Sequence, residues 1–239
     1  MSLENWQESS NPIQMLQYLG IKAGRRKLML FGVACCQPYL SLLSEPARNS
    51  LTLAESYADG KVSYEEVNNY RHKESRRIIA FLRENDDFAF PIQAEQAAFQ
   101  TMIIVLIDEQ SLLTYTNKIL HHIRLSSVKW DTSREEIFQS NILRCLFGNE
   151  PDFDSKVPLS RDWLSWNDGA ISKIAHGIYN DKSFGDMPIL ADAFEDAGCT
   201  DKRILEHCRG TVHVKGDWLL DKVLGFGRDI PGQNRGQAR

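Results

Sequence analysis

Residues 183–225, SFGDMPILADAFEDAGCTDKRILEHCRGTVHVKGDWLLDKVLG, decide how the chain is read. Met187, Leu190, Ala191, Phe194 and Ala197 repeat at the spacing of one helix face, and Gly198 supplies the stop. Thr200 then caps a short helix bearing Ile204, Leu205 and Cys208, which Gly210 ends. Asp217 caps a third, Trp218 to Leu224. The stretch holds two of the five cysteines, two of the six histidines and a tryptophan. Such a density marks either a metal or reactive centre or a tightly packed C-terminal cap.

Upstream the same helical grammar continues. Asn167 or Asp168 can cap a helix whose Ile171, Ile174, Ala175, Ile178 and Tyr179 share a face. Trp163 and Trp166 before it would pack on that stripe, or form an aromatic platform for a ligand. Residues 150–160, with two prolines, read as a connecting loop. Thr132 and Glu135 form a capping box that opens a helix through Ile137, Ile142, Leu143 and Leu146 to Gly148. Leu125 to Trp130 reads as a linker, and Asp86 to Phe90 as a turn. Pro91 opens a helix through Ala94, Ala97 and Val105 that continues from Leu112 to Ile123; the β-branched run at 103–107 suits a strand, but the alanines before it favour helix. His121 and His122, near its end, suit the negative pole of the helix dipole.

Nearer the N-terminus, Ser63 and Glu66 make a second capping box, for a helix from Tyr64 to about Arg83. Ser44-Glu45-Pro46 opens another that stops by Gly60. A helix from Arg25 through Cys36 should divide its adjacent cysteines, Cys35 and Cys36, between core and flank. Ser10-Asn11-Pro12 starts the first helix, which Gly20 stops. No repeat of fixed period is present. The fold expected is mainly α: an irregular multi-helix bundle with an N-terminal helical body (1–150), a C-terminal module of short helices (155–225) and a disordered tail (226–239).

Bulk numbers narrow the function classes. A chain of 239 residues can bury a core without staples. Its odd, scattered cysteine count has none of the regularity of a secreted disulfide scaffold, so a reducing cytoplasm is the expected location. The N-terminus lacks the basic-then-apolar order of a signal peptide, and the longest apolar run, Met102 to Ile107, is far too short to span a bilayer. Net charge is −4, and three arginines of the last fourteen residues leave the rest more acidic still. No broad basic face for nucleic acid follows. Arg71, Lys73, Arg76 and Arg77 are a local basic run, better read as a solvated helix face.

Three segments taken together carry a resemblance: Arg26 to Phe31 leading to Ala34-Cys35-Cys36; Phe147-Gly148-Asn149; and Met187-Pro188-Ile189-Leu190-Ala191-Asp192-Ala193 with Ala197-Gly198-Cys199, Ile204-Leu205, His207-Cys208-Arg209 and His213-Val214-Lys215-Gly216. The chain resembles a large paralogous family of uncharacterised bacterial proteins, to which no activity is assigned. It departs from that pattern at Glu150-Pro151-Asp152, where Pro-Phe-Arg is usual, and at Asp217, where cysteine is usual. The resemblance implies a shared C-terminal module and carries over no functional residue.

The sharpest chemical candidate is a zinc site built from Cys199, Cys208 (or His207), His213 and Asp217, whose thiolate, imidazole and carboxylate groups are all zinc ligands. The spacing lacks a C-x-x-C pair, and residues 207 and 208 point about 100° apart on a helix. The packing alternative is stronger: Cys208 joins Ile204 in the core, Cys199 fills the turn, and the histidines satisfy helix-end carbonyls. A thiol nucleophile at Cys199 or Cys208, with His207 or His213 as base, would need an exposed, activated thiolate. Asp192, Glu195 and Asp196 share a face that water explains. P-loop, dinucleotide, nucleophile-elbow and H-E-x-x-H signatures are absent. The function expected is therefore non-catalytic, an interaction or regulatory protein presenting helix faces to a protein partner, with no cofactor, no membrane contact and no nucleic acid. The alternatives are a metal- or thiol-dependent enzyme using the C-terminal Cys/His cluster, or a module that zinc only stabilises.

Overall fold

A helix with no wet face belongs in the middle of a core, and the segment RRKLMLFGVACC is such a helix, with even Arg26 and Lys27 buried. In the computed structural model, which describes residues 3–84, 96–98, 101, 112–126, 132–148 and 157–227, every residue from Arg26 to Cys36 of this helix is buried. Cys35 and Cys36 are both inside, 0% and 1% exposed. Dividing them between core and flank assumed one wet face, and this helix has none.

Every regular element among the described residues is helical. In chain order they are α1 (Leu3–Glu8), α2 (Pro12–Leu19), a 3-10 turn (Gly20–Ala23), α3 (Arg25–Cys36), a second 3-10 turn (Gln37–Leu42), α4 (Glu45–Ala58), α5 (Tyr64–Glu84), α6 (Leu112–Ser126), α7 (Thr132–Phe147), α8 (Arg161–Asp181), a third 3-10 turn (Phe184–Asp186), α9 (Met187–Asp196), α10 (Lys202–Cys208) and α11 (Trp218–Leu224). The fold is mainly α, a multi-helix bundle. No helix among the described residues is long and apolar enough to cross a membrane.

The chain divides into two units, Met1–Ser140 and Asn141–Gly227, so the boundary falls inside α7 and ahead of residue 150. In the first unit α3 packs on α4 and α6, α2 also packs on α6, and α5 packs on α4. The start signals act as their chemistry dictates. Asn11 and Ser44 accept from the amides of Gln14 and Ala47, each with proline in the first turn. Ser63 and Glu66 close a reciprocal box, Ser63 N–H to Oε2 at 2.7 Å and Glu66 N–H to the Ser63 hydroxyl at 3.2 Å. Thr132, read as the partner of Glu135 in a capping box, has a side chain outside the described residues; the Glu135 carboxylate accepts from the Tyr39 hydroxyl at 3.0 Å and the Gln139 amide at 2.8 Å. Burial pushes this carboxyl up, and the two hydrogen bonds only partly oppose it. The readings at 86–90, 103–107, 127–130 and 150–156 lie outside the described residues, as do the side chains of Arg76 and Arg77; Leu125 and Ser126, read as linker, belong to α6.

Two consequences can be measured in this unit. Gly32 faces Thr101 so closely that an added Cβ would sit 2.6 Å from its Oγ1 and 2.8 Å from its Cγ2. Alanine favours a helix by about 1 kcal/mol over glycine, yet overpacking of this kind costs about 1–3 kcal/mol. Gly32→Ala should therefore lower the urea midpoint, and Thr101→Ala in the same chain should restore most of the loss. The second concerns His122, which lies more than a turn before the end of α6, beyond the reach of the terminal dipole. Its ring meets that of His121 edge-on at 5.7 Å. Burial, then His121 and Lys118, push His122 down to about 4. Because the native value is depressed below the unfolded one of about 6.5, protons bind the unfolded chain first. The contribution is intact above pH 6.5 and is lost as pH falls towards 4, by about 1 kcal/mol after allowing for solvent screening of a half-buried ring. His122→Gln should flatten urea midpoints across that window.

In the second unit α8 packs on α9 and α11, and α9 on α10. Their core gathers Ile171, Tyr179, Leu190, Phe194, Ile204 and Trp218. The helix α8 is kinked: Trp166 is extended, and Asn167, Asp168 and Gly169 all take left-handed backbone angles (φ 47°, 55° and 75°). Asparagine, aspartate and glycine are the residues that tolerate that region. Asn167 and Asp168 thus mark a break between two helical turns, with Ser160 capping the first. Trp163 packs edge-on against Phe194 at 6.3 Å, and both Trp163 and Trp166 lie against the core. Phe226, expected in the disordered tail, stacks on Tyr179 at 5.1 Å; residues 228–239 lie outside the described residues.

Candidate functional site: a buried carboxylate shared by two imidazoles

The site grows from one capping residue. Asp217 opens α11, and its Oδ1 accepts from the amides of Leu219 at 2.9 Å and Leu220 at 3.3 Å, two of the donors that a helix start leaves unpaired. The side chain is wholly buried. A buried carboxylate is costly unless it is paired and hydrogen-bonded, and the remaining partners come from α10, from the turn after it and from α7. His207 Nε2 bridges both oxygens, 3.0 Å from Oδ1 and 2.8 Å from Oδ2. His213 Nδ1 lies 2.8 Å from Oδ2, one helical spacing before Asp217. Cys145, near the end of α7, donates its thiol to Oδ2 at 3.3 Å. Burial alone would raise the Asp217 carboxyl, but the two imidazoles and their hydrogen bonds outweigh it and hold the group far below the ordinary carboxylate range.

The rings are held in turn. His207 and His213 meet edge-on at 5.0 Å, and His207 lies 4.9 Å from the Trp218 ring. His213 Nε2 is 3.2 Å from the carbonyl oxygen of Gly210. Cys145, His213 and Asp217 are the group among the described residues whose potential ligand atoms all lie within 4.8 Å of one another.

Of the four metal candidates read from sequence, the structure brings His213 and Asp217 together. Cys199 and Cys208 are placed in the core cluster of the unit with Ile204, and neither belongs to the convergent group. Positions 207 and 208 split as helix geometry requires, the imidazole turning to Asp217 and the thiol into the core. Burial pushes Cys208 up, with Asp217 and Cys199 adding to it, and burial likewise raises Cys199. Thr200 yields the cap of α10 to Asp201, which accepts from the Arg203 amide at 3.0 Å. The acidic face of α9 is partly paired, Arg209 lying 2.5 Å from Glu195 and 3.6 Å from Asp192. The residue that sequence reading missed is Cys145. It stands 72 positions before Asp217 and sits among Ile142, Leu143 and Leu146, where periodicity says only that it is buried.

Chemically, the arrangement is a closed polar knot. Its thiol, carboxylate and imidazoles could ligate a metal, but Cys145 is 3% exposed and Asp217 0%, and the His213 side chain 4%. A recess between α1 and α2 is lined by Asn5, Glu8, Ser9, Gln14, Gln17 and Tyr18. Comparison with protein-family models, with curated proteins and with solved structures finds no match.

Proposed function

We propose that this chain is a non-catalytic interaction or regulatory protein that presents helix faces to a protein partner. The observation that carries this reading is the closure of the Cys/His/Asp knot. Both oxygens of Asp217 are committed to amides and imidazoles, and the side chains around them are almost wholly buried. The thiols support the same reading. A catalytic cysteine needs a stabilised thiolate, whereas burial raises Cys35 and Cys199, pushes Cys36 up to about 12, and raises Cys208 further. A cytoplasmic location and bacterial kinship with the family sharing the C-terminal motif belong to this reading.

Two measurements test it. Native protein treated with a chromogenic disulfide reagent should leave Cys35, Cys36, Cys199 and Cys208 unmodified, and all should react once urea unfolds the chain. Rapid native labelling of Cys199 or Cys208 would return the thiol-enzyme alternative. A photo-crosslinker at Ile189, an exposed apolar residue of α9 (54%), should trap one defined protein in lysate of the source cell. Failure to trap any protein from each of the exposed helices, tested in turn, would sink the interaction reading.

A further inference from the structure

The knot contains a contradiction that a neutral histidine cannot resolve. His213 Nε2 faces the Gly210 carbonyl at 3.2 Å, and Nδ1 faces Asp217 Oδ2 at 2.8 Å. Both partners are acceptors. A neutral imidazole has one N–H, so if Nε2 donates to Gly210, the Nδ1 lone pair points at a carboxylate oxygen. The other tautomer satisfies Asp217 and leaves the Nε2 lone pair facing the Gly210 carbonyl, so a second ring proton, or a metal ion on Nδ1, is what would match both contacts at once. The same Oδ2 also faces Cys145 Sγ at 3.3 Å and His207 Nε2 at 2.8 Å, so three groups compete for one oxygen with about two lone pairs.

We propose that Cys145 Sγ, His213 Nδ1 and Asp217 Oδ2 hold a divalent transition metal of the zinc type. The donor set selects it: thiolate disfavours magnesium and calcium, and thiolate with imidazole and carboxylate is a zinc combination. Tetrahedral zinc places neighbouring ligand atoms roughly 3.3–3.6 Å apart. The separations from Oδ2, 2.8 Å and 3.3 Å, approach that range, and small outward rotations would admit the ion. The surroundings match what metal ligands need. A ligating histidine gives its other N–H to a carbonyl, for which His213 Nε2 has the Gly210 oxygen within reach, and a ligating carboxylate is itself hydrogen-bonded, as Oδ1 is by the Leu219 and Leu220 amides. His207 is the positioning residue that orients the carboxylate. Binding displaces the Cys145 thiol proton and whatever proton lies between His213 and Asp217; no electron moves. Three protein groups leave the fourth tetrahedral position to a water, and with those groups buried the ion ties the end of α7 to the turn before α11. The proposal stands whether or not the interaction reading does.

The test uses the full chain, stripped with chelator and titrated with zinc or cobalt(II) chloride. Cobalt should give the intense bands of a tetrahedral thiolate complex, at about one ion per chain, and zinc should displace it and raise the melting temperature. Cys145→Ser should abolish the thiolate-to-cobalt band, Cys208→Ser should leave it unchanged, and His207→Ala should weaken zinc affinity 10- to 100-fold. A featureless cobalt spectrum of the wild-type chain, with no change in melting temperature on adding zinc, overturns the proposal without any variant having to fold. So does a band that survives Cys145→Ser and disappears in Cys208→Ser.

Discussion

Asp217→Ala should be among the most destabilising single substitutions in the second unit, lowering its stability by about 3–5 kcal/mol. The change removes a cap, worth about 1 kcal/mol, and strands the amides of Leu219 and Leu220 at the start of α11. It also deprives His207, His213 and Cys145 of their shared acceptor, and each buried polar group left unmatched costs about 1–3 kcal/mol. These costs overlap, because the groups form one network, so the total stays well short of their sum. Asp217→Asn separates the contributions. Its carbonyl oxygen can still cap α11, but its NH2 meets imidazole N–H groups donor to donor, so its loss should fall between those of wild type and alanine. Trp218, 2% exposed and against the His207 ring, provides a local fluorescence signal for urea titrations. Losses below about 1 kcal/mol for both variants would mean that the network does not form in solution.

The contrast between what could and could not be read from sequence follows the range of the interaction. Caps that spend their side chains within three residues are legible: Asn11, Ser44, Ser63 and Asp217 all act where their neighbours said they would. Glu135 has the same local pattern as Glu66, yet Tyr39, 96 positions away, takes its carboxylate. No local rule foresees that. The same limit hid Cys145 from the candidate site. His213 and Asp217 are one helical spacing apart and stood out together, and His207 is ten positions from Asp217. Cys145 could be recognised only once α7 and α11 were in place. Periodicity did assign Cys208 to the core, because one apolar stripe on a short helix is enough to orient it. It misplaced Cys36, because α3 is buried on every side from Arg26 onward. The kink at Asn167 to Gly169 was visible as a helix start, but three successive left-handed residues have no spacing signature, and the turn before it went unread.

Arg26 supplies the second large effect, in the first unit. Its side chain is entirely buried within α3; Nε donates to the Ala58 carbonyl at 3.0 Å, and Nη2 lies 3.9 Å from Asp59 Oδ1, itself on a side chain only 1% exposed. One guanidinium thereby satisfies a carbonyl at the end of α4 and offsets the charge of its C-cap residue. Lys61 also approaches Asp59, at 3.5 Å, but from solvent, with its side chain 60% exposed. Arg26→Met keeps much of the packing volume and removes the buried charge beside the Asp59 carboxylate. Breaking a buried pair from one side costs about 3–5 kcal/mol, whereas replacing both members by apolar groups can be close to neutral. Arg26→Met alone should therefore lose several kcal/mol, and Arg26→Met with Asp59→Leu should recover at least half of that loss. The double-mutant cycle should give a coupling of more than about 1 kcal/mol. Strict additivity would show that the 3.9 Å approach to Asp59 contributes nothing.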